Sequence, residues 1–420
     1  MRPERSREGG PGQATTVAPK ARRARFNPFD PEYVQDPYPT YRSLRDAKPV
    51  HRTPFGPMVV TRHADVAALL KDSRFGVDAR RSNRWAGYTA ANAAAADAGE
   101  ILDRLRPFIF LDPPEHTRLR RLVSKAFTPR AVEQMRQYVS EVVAEMLARA
   151  REKDCLEVIG DLADPLPTRV VSEMLGVPRS DHEMVRNWTR DLNAVVQFNL
   201  LPETDPHLLS TLDDAVRYLR QLVHARQEEP TTDLLSSLVA ASHEANILTV
   251  EEVIATCIML LVAGQDTTVN LIGNGLRALA QNPGTVAALR ADPALWPQAV
   301  EELLRFDSPV QMTSRIALAD AEVADVPVAP GQELLAVLGS ANRDERVFED
   351  PDHLDLQRKN AHLAFGLGAH SCIGASLGRL EGGMAISCVT GALATLELVE
   401  EPHYRGNFVL RGLEALKFRW

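Results

Sequence analysis

Cysteine is scarce in this chain of 420 residues: four are present, at 155, 257, 372 and 388, with no CxxC pair and no zinc-ligand spacing. A disulfide scaffold is thereby excluded, and a reducing compartment is expected. Basic charge is not in excess either. Lys and Arg total 48 against 56 Asp and Glu, a net charge of −8, which argues against a nucleic-acid binder working by bulk charge. No apolar run is long enough to span a bilayer: the longest, Val253 to Gly264, is about half of the roughly 20 residues required. From Phe26 onward no Pro-, Gly- or Ser-rich linker divides the chain, and no internal repeat is seen. A cytoplasmic protein without a membrane anchor is expected.

What remains is an ordinary soluble composition, 45% apolar and 25% charged. Residues 1–25 carry Arg2, Arg5, Arg7, Lys20, Arg22, Arg23 and Arg25 among Gly, Pro and Thr, and read as a disordered N-terminal arm. Residues 26–420 read as a single fold. Apolar spacing near three and four predicts helices over most of it, while strand signals gather at Val50–Thr61 and Ser314–Gly339, the latter with a turn at VPVAPG. The expectation is a mainly α protein, a large helical body with a smaller β-rich region. Residues 79–100 and Gln197–Pro206 interrupt this order and are candidate covers over a site.

Thr249 and Glu252 form a capping box, and Asn282-Pro283-Gly284 is a stop signal, which bounds a helix of about thirty residues. It is apolar on nearly every face until Ala263-Gly264-Gln265-Asp266-Thr267-Thr268. Glycine and a buried carboxylate both weaken such a helix, so this segment needs a reason. One is a kink, with Thr hydroxyls bonding back to carbonyls one turn earlier. The other is a widened groove in which an acid beside an alcohol relays protons to a bound ligand.

Residues 365–374 read FGLGAHSCIG and lead into a helix at Ala375–Leu396. Glycines at 366, 368 and 374 permit a tight loop, and Cys372 lies just before a helix N-terminus, where the dipole lowers a thiol pKa. An inert thiol, a nucleophile and a metal ligand compete as its role. His370 is badly placed as a base for a nucleophile, and zinc would want further ligands. A single thiolate suffices for haem iron.

At these residues the chain resembles the cytochrome P-450 family, in its soluble bacterial form, from Phe26 to Trp420. FGLGAHSCIG fits that family's haem-ligand loop, AGQDTT at 263–268 its oxygen-activation groove, and Glu302-Leu303-Leu304-Arg305 its ExxR motif. Arg358 occupies the position of the third member of a Glu–Arg–Arg network, and Leu354 stands where Phe is commoner. The resemblance implies a P-450 fold with haem b, and Cys372 as the iron ligand. It implies His116, Arg120, Arg315 and His370 at the haem propionates, and Ala263, Gly264, Phe365, Gly366 and Gly374 against the cofactor. Asp266 and Thr267 would deliver protons during oxygen activation, and Glu302, Arg305 and Arg358 would hold the Cys372 loop.

The implied activity is a monooxygenase placing one atom of O2 in an apolar small molecule, by hydroxylation or epoxidation. A polyketide or macrolide-type secondary metabolite is the expected substrate, with steroids, terpenoids, fatty acids and cyclic peptides as alternatives. Pocket residues are expected at Val196, Leu260, Ala263, Val310, Gln311, Met312 and Phe408, with Asn199, Gln311 and Thr313 as hydrogen-bond partners. No flavin or nicotinamide fingerprint is present, so electrons from NAD(P)H are expected through a separate ferredoxin and ferredoxin reductase. The ferredoxin would dock where Arg118, Arg121, Lys125 and Arg130 cluster. Neither nucleic acid nor membrane is expected as a partner, and the chain is expected to be a monomer. A peroxygenase, a non-catalytic haem-thiolate binding or sensor protein and a cysteine hydrolase are the competing functions.

Overall fold

The computed structural model describes residues 26–86, 105–196, 207–245, 248–359 and 361–420. The expected N-terminal arm, residues 87–100 of the first candidate cover and all of the second lie outside them. Helices dominate the rest: α1 Pro31–Gln35, α2 Tyr38–Ala47, α3 His63–Lys71, α4 Glu115–Val123, α5 Pro129–Gln134, α6 Arg136–Ala150 and α7 Pro165–Leu175. They continue with α8 His182–Val196, α9 His207–Glu228, α10 Leu234–Ala245, α11 Val250–Ala280, α12 Pro283–Ala291, α13 Trp296–Phe306, α14 Leu338–Ala341 and α15 Ala375–Ala392.

The central helix, α11, has 31 residues and runs without a break through Gly264. Its start is fixed by the expected capping box: the Glu252 N–H donates to Thr249 Oγ1 and the Thr249 N–H to Glu252 Oε2, at 3.1 and 2.9 Å. Helices α7, α8, α9, α10, α13 and α15 all pack against it. That encirclement explains its apolar circumference. By length and composition it would pass as a membrane span, yet 72% of its apolar window is buried inside the molecule. The crossing with α15 is close because Gly382 faces it; a Cβ there would stand 2.4 Å from Leu271 Cδ2. Another helix, rather than a flat cofactor, accounts for that glycine.

The β region joins the two stretches the sequence marked. Strands β1 Val50–Arg52, β2 Met58–Val60, β3 Phe75–Gly76, β5 Thr313–Ala317 and β8 Glu333–Ala336 form one sheet in the order β1-β2-β8-β5-β3. Within it β2 and β8 are parallel, with Met58 opposite Leu334, and the other pairs are antiparallel. Strands β4 Cys155–Glu157 and β9 Lys417–Arg419 pair separately, so Cys155 lies on a two-stranded ribbon.

Two local features add to the expected pattern. The turn expected at VPVAPG occupies its second half, with Gly331 at φ +78° and the Gln332 N–H donating to the Ala329 carbonyl; another turn precedes it at Ala324 and Asp325, both with positive φ, and Val326–Val328 is strand β7, paired with β6 Ala321–Val323. Pro327 is tolerated because this ribbon has two strands and therefore only edges. The stop at Asn282-Pro283 also begins α12, since proline at the first helical position has no N–H to lose.

Candidate active site

The Cys372 loop hangs between α3 and α15. Gly366 and Gly368 have φ of +64° and +74°, and a Cβ on Gly368 would come 2.3 Å from the Leu70 carbonyl oxygen at the end of α3. Both positions therefore need glycine. The Cys372 N–H donates to the Phe365 carbonyl at 2.8 Å, closing the loop on itself. Cys372 is crowded by its neighbours and still keeps accessible surface, so its sulfur is open to a ligand. Burial pushes the thiol up, against the pull of the Gly374 N–H, Arg120 and Arg379. The dipole alone predicted the opposite direction, because it ignores desolvation. A metal that replaces the thiol proton makes the anion outright.

Beside this sulfur, groups that carry or can carry positive charge converge from three elements. His116 and Arg120, one turn apart on α4, meet the loop: the His116 and His370 rings are 4.0 Å apart, and Arg120 donates to the Ser371 carbonyl at 2.6 Å. Arg315 comes from β5 and is buried, donating to the Ser314 carbonyl and to Thr313 Oγ1. Burial lowers the Arg315 guanidinium to about 10, and Asp112 offsets this only in part. His370 is held down to about 3 by burial and then by His116, Arg315 and Arg120. His116 is buried with neither ring nitrogen partnered. Among the described residues none of these four groups is paired with a carboxylate. Such a cradle is costly by itself and suits an anionic group bound at its centre. The two carboxylates of a haem would satisfy it.

The loop is pinned from α13. Glu302 and Arg305 are fully buried; Arg305 donates to both Glu302 oxygens at 2.6 and 2.8 Å, and Arg358 donates to Glu302 Oε1 at 3.1 Å. The remaining guanidinium hydrogens meet the carbonyls of Asn342, Pro351, His353, Glu349 and Asp350, so the network stitches residues 342–358 to α13. Its link to the cysteine loop is Asn342, whose Oδ1 accepts from the Leu363 N–H at 2.6 Å and whose Nδ2 donates to Ser308. A second staple escaped the sequence reading. Arg379 on α15 grips Glu301 in a bidentate pair at 2.6 and 2.8 Å, His362 adds a contact at 3.2 Å, and the Arg379 guanidinium lies 4.5 Å over the Phe365 ring. Burial would raise Glu301, but Arg379 and His362 prevail and hold it at about 2. Nothing local marks Glu301 out beside Glu302; only the fold brings Arg379 to it.

On α11 the run Val253–Val262 is buried, whereas Ala263, Gly264, Asp266 and Thr267 are half-open. The Thr267 hydroxyl donates back to the Ala263 carbonyl at 3.1 Å, leaving its lone pairs as acceptors. The back-bonded alternative is thus realised within an unbroken helix. A Cβ on Gly264 would meet only Val171, at 3.5 Å, so this face is open to a flat neighbour.

The expected pocket is only partly assembled. Leu260 and Ala263 share one face of α11, and Val310 is half-buried in a bridge to Leu410. Gln311 and Met312 are core residues, 2% and 1% exposed. The Gln311 amide accepts from the Tyr41 hydroxyl at 3.0 Å and donates to the Ser308 carbonyl at 2.8 Å, because a buried tyrosine needs an acceptor there. Met312 and Phe408 pack with Phe26, Tyr33 and Tyr41. Thr313 Oγ1 accepts from Arg315. The side chain of Val196, and all of Asn199, lie outside the described residues. On the basic surface Arg118 is bound to Glu252, the capping residue of α11, while Arg121, Lys125 and Arg130 are exposed.

The cytochrome P450 family profile matches residues 94–390, which span α4, α11, α13 and the cysteine loop. The biotin biosynthesis cytochrome P450 of Bacillus subtilis is 36% identical, with 92% of this chain and 96% of that one aligned. The polyketide biosynthesis cytochrome P450 PksS of the same organism is 34% identical over 93% and 97% of the two chains. Among solved structures, epothilone D-bound cytochrome P450epoK superposes with a TM-score of 0.87 at 30% identity, covering 94% of this chain and 98% of that one. The chain therefore belongs to the cytochrome P450 family, a haem-thiolate monooxygenase that takes electrons from external redox partners.

Proposed function

We propose that this monooxygenase tailors a polyketide or macrolide-type metabolite, with the Cys372 thiolate as the ligand of its haem iron and ferredoxin as its immediate reductant. The observation that supports the ligand assignment is that Cys372 keeps accessible surface beside His116, Arg120, Arg315 and His370, none of which is paired with a carboxylate among the described residues. His116, Arg120, Arg315 and His370 would hold the haem carboxylates there, and Ala263 and Gly264 leave room for the ring. Bound in this way, haem supplies reductive activation of O2: one oxygen atom enters the substrate and the other leaves as water, with two electrons and two protons consumed. Thr267 Oγ1 presents a half-open hydroxyl, and the Asp266 carboxyl one residue earlier brings it solvent protons. Leu260 and the apolar residues around it exclude water from the reacting end of the substrate.

The names of PksS and of the epothilone D complex support the substrate class. Exposed Arg121, Lys125 and Arg130 in an acidic protein support docking of an acidic ferredoxin near α4, and a cytoplasmic, monomeric enzyme is consistent with this reading. A spin-state titration with epothilone D, a long-chain fatty acid and a steroid, followed by product analysis, tests the substrate. A high-spin shift and oxygenated product from the macrolactone are expected. Turnover of the fatty acid or steroid alone would overturn the assignment.

A further inference from the structure

Gln265 is a fully buried amide in the middle of α11, one residue before Asp266, and the mechanism above does not use it. Its Nε2 donates to Asp164 Oδ1 at 2.9 Å and its Oε1 accepts from Asn193 Nδ2 at 2.8 Å. The orientation is fixed, since a carboxylate only accepts and the amide nitrogen must face it. Asp164 stands at the head of α7, and its other oxygen takes Arg186 Nε at 2.9 Å and Arg190 Nη2 at 3.2 Å. Arg186, Arg190 and Asn193 fall on one face of α8. A continuous polar chain therefore clamps α8 to α7 and to Gln265 of α11, the residue just before Asp266.

Elsewhere the α8–α11 contact is apolar. An apolar cavity remains between Trp188 and Leu192 of α8, Leu219 of α9, and Ile258, Leu261 and Val262 of α11. Apolar contacts fix no direction, whereas hydrogen bonds constrain both length and angle. The polar chain is thus the directional link between the two helices. A shift of α8 either carries Gln265 with it or leaves a buried amide unpaired.

We propose that the Asn193–Gln265–Asp164 chain is a positioning device that ties the seating of α8 to the geometry of the Asp266–Thr267 segment. Gln265 and Asn193 touch no reacting atom; they act through Asp266. This rests on the proton-delivery role proposed above for Asp266 and Thr267.

The test compares the haem-loaded wild type with Asn193→Ala and with Asn193→Asp, which keeps the shape but places an acceptor against Gln265 Oε1. Hydrogen–deuterium exchange is read for residues 258–268, and the ratio of product to NAD(P)H consumed is read with epothilone D as the probe. Both variants should speed exchange at 263–268 at least tenfold, leave the cysteine loop protected, and lower the coupling ratio at least threefold with matching hydrogen peroxide. Unchanged exchange at 263–268 overturns the tie whatever the probe does. Faster exchange with an unchanged ratio reduces the chain to a structural contact and overturns the positioning role. Failure of the underlying relay is separately visible, as wild-type coupling in Thr267→Ala.

Discussion

Cys372 and Thr267 carry the sharpest single-residue expectations. Replacing Cys372 by Ser removes the soft sulfur while keeping the loop, whose bonds are made by backbone and glycines. The reduced carbon monoxide adduct of the wild type should show a strongly red-shifted Soret band, and Cys372→Ser should lose it. Persistence of the band in the variant would refute the ligand assignment. Thr267→Ala removes a half-open hydroxyl without touching the capping of α11, so folding should be retained. Its peroxide yield should rise several-fold relative to product when both are followed in one reaction, and wild-type coupling would count against the relay.

At the scale of elements, the staple between α13 and α15 gives a pH dependence. Glu301 has its carboxyl lowered from 4.5 to about 2 by Arg379 and His362, against burial. Its folded-state pKa is depressed, so the stabilisation is fully present above about 4.5 and is lost as pH falls towards 2. Glu301→Gln should therefore be less stable than wild type at neutral pH and show a shallower acid loss below 4.5. Thermal midpoints and haem retention across that range measure it, and parallel acid profiles would show that the pair does not hold the loop.

At the scale of the whole molecule, the buried Glu302 network decides whether a cofactor-ready protein forms at all. Glu302→Leu strands Arg305, fully buried, and Arg358 without their carboxylate, a loss of about 3–5 kcal/mol. The variant should show a lowered thermal midpoint and little bound haem, read by unfolding and by absorbance. On the outside, Arg121→Glu with Lys125→Glu should raise KM for ferredoxin and flatten its dependence on ionic strength, with kcat at saturating ferredoxin near wild type. A changed kcat with constant KM would place the docking surface elsewhere.

Much of this was legible in the sequence because the signals are local. The capping box at Thr249, the glycines around Cys372, and His116 and Arg120 one turn apart are short-range patterns imposed by backbone geometry and helical periodicity. The mainly helical architecture follows from apolar spacing in the same way. Gln311 shows where that stops. An amide in a neutral stretch reads as a ligand contact, and only the arrival of Tyr41 from the other end of the chain makes it a core acceptor. Glu301 and Gln265 are similar, since their partners Arg379, Asn193 and Asp164 lie 78, 72 and 101 residues away.

The sequence by itself determined which residues can ligate iron, carry protons and meet carboxylates, because those capacities belong to side-chain chemistry and to spacing within one loop or helix. The tertiary structure alone decided which of these groups stand unneutralised together, which direction burial pushes the Cys372 thiol, and which polar chains join α8 to α11. Desolvation and long-range pairing exist only once distant segments are packed.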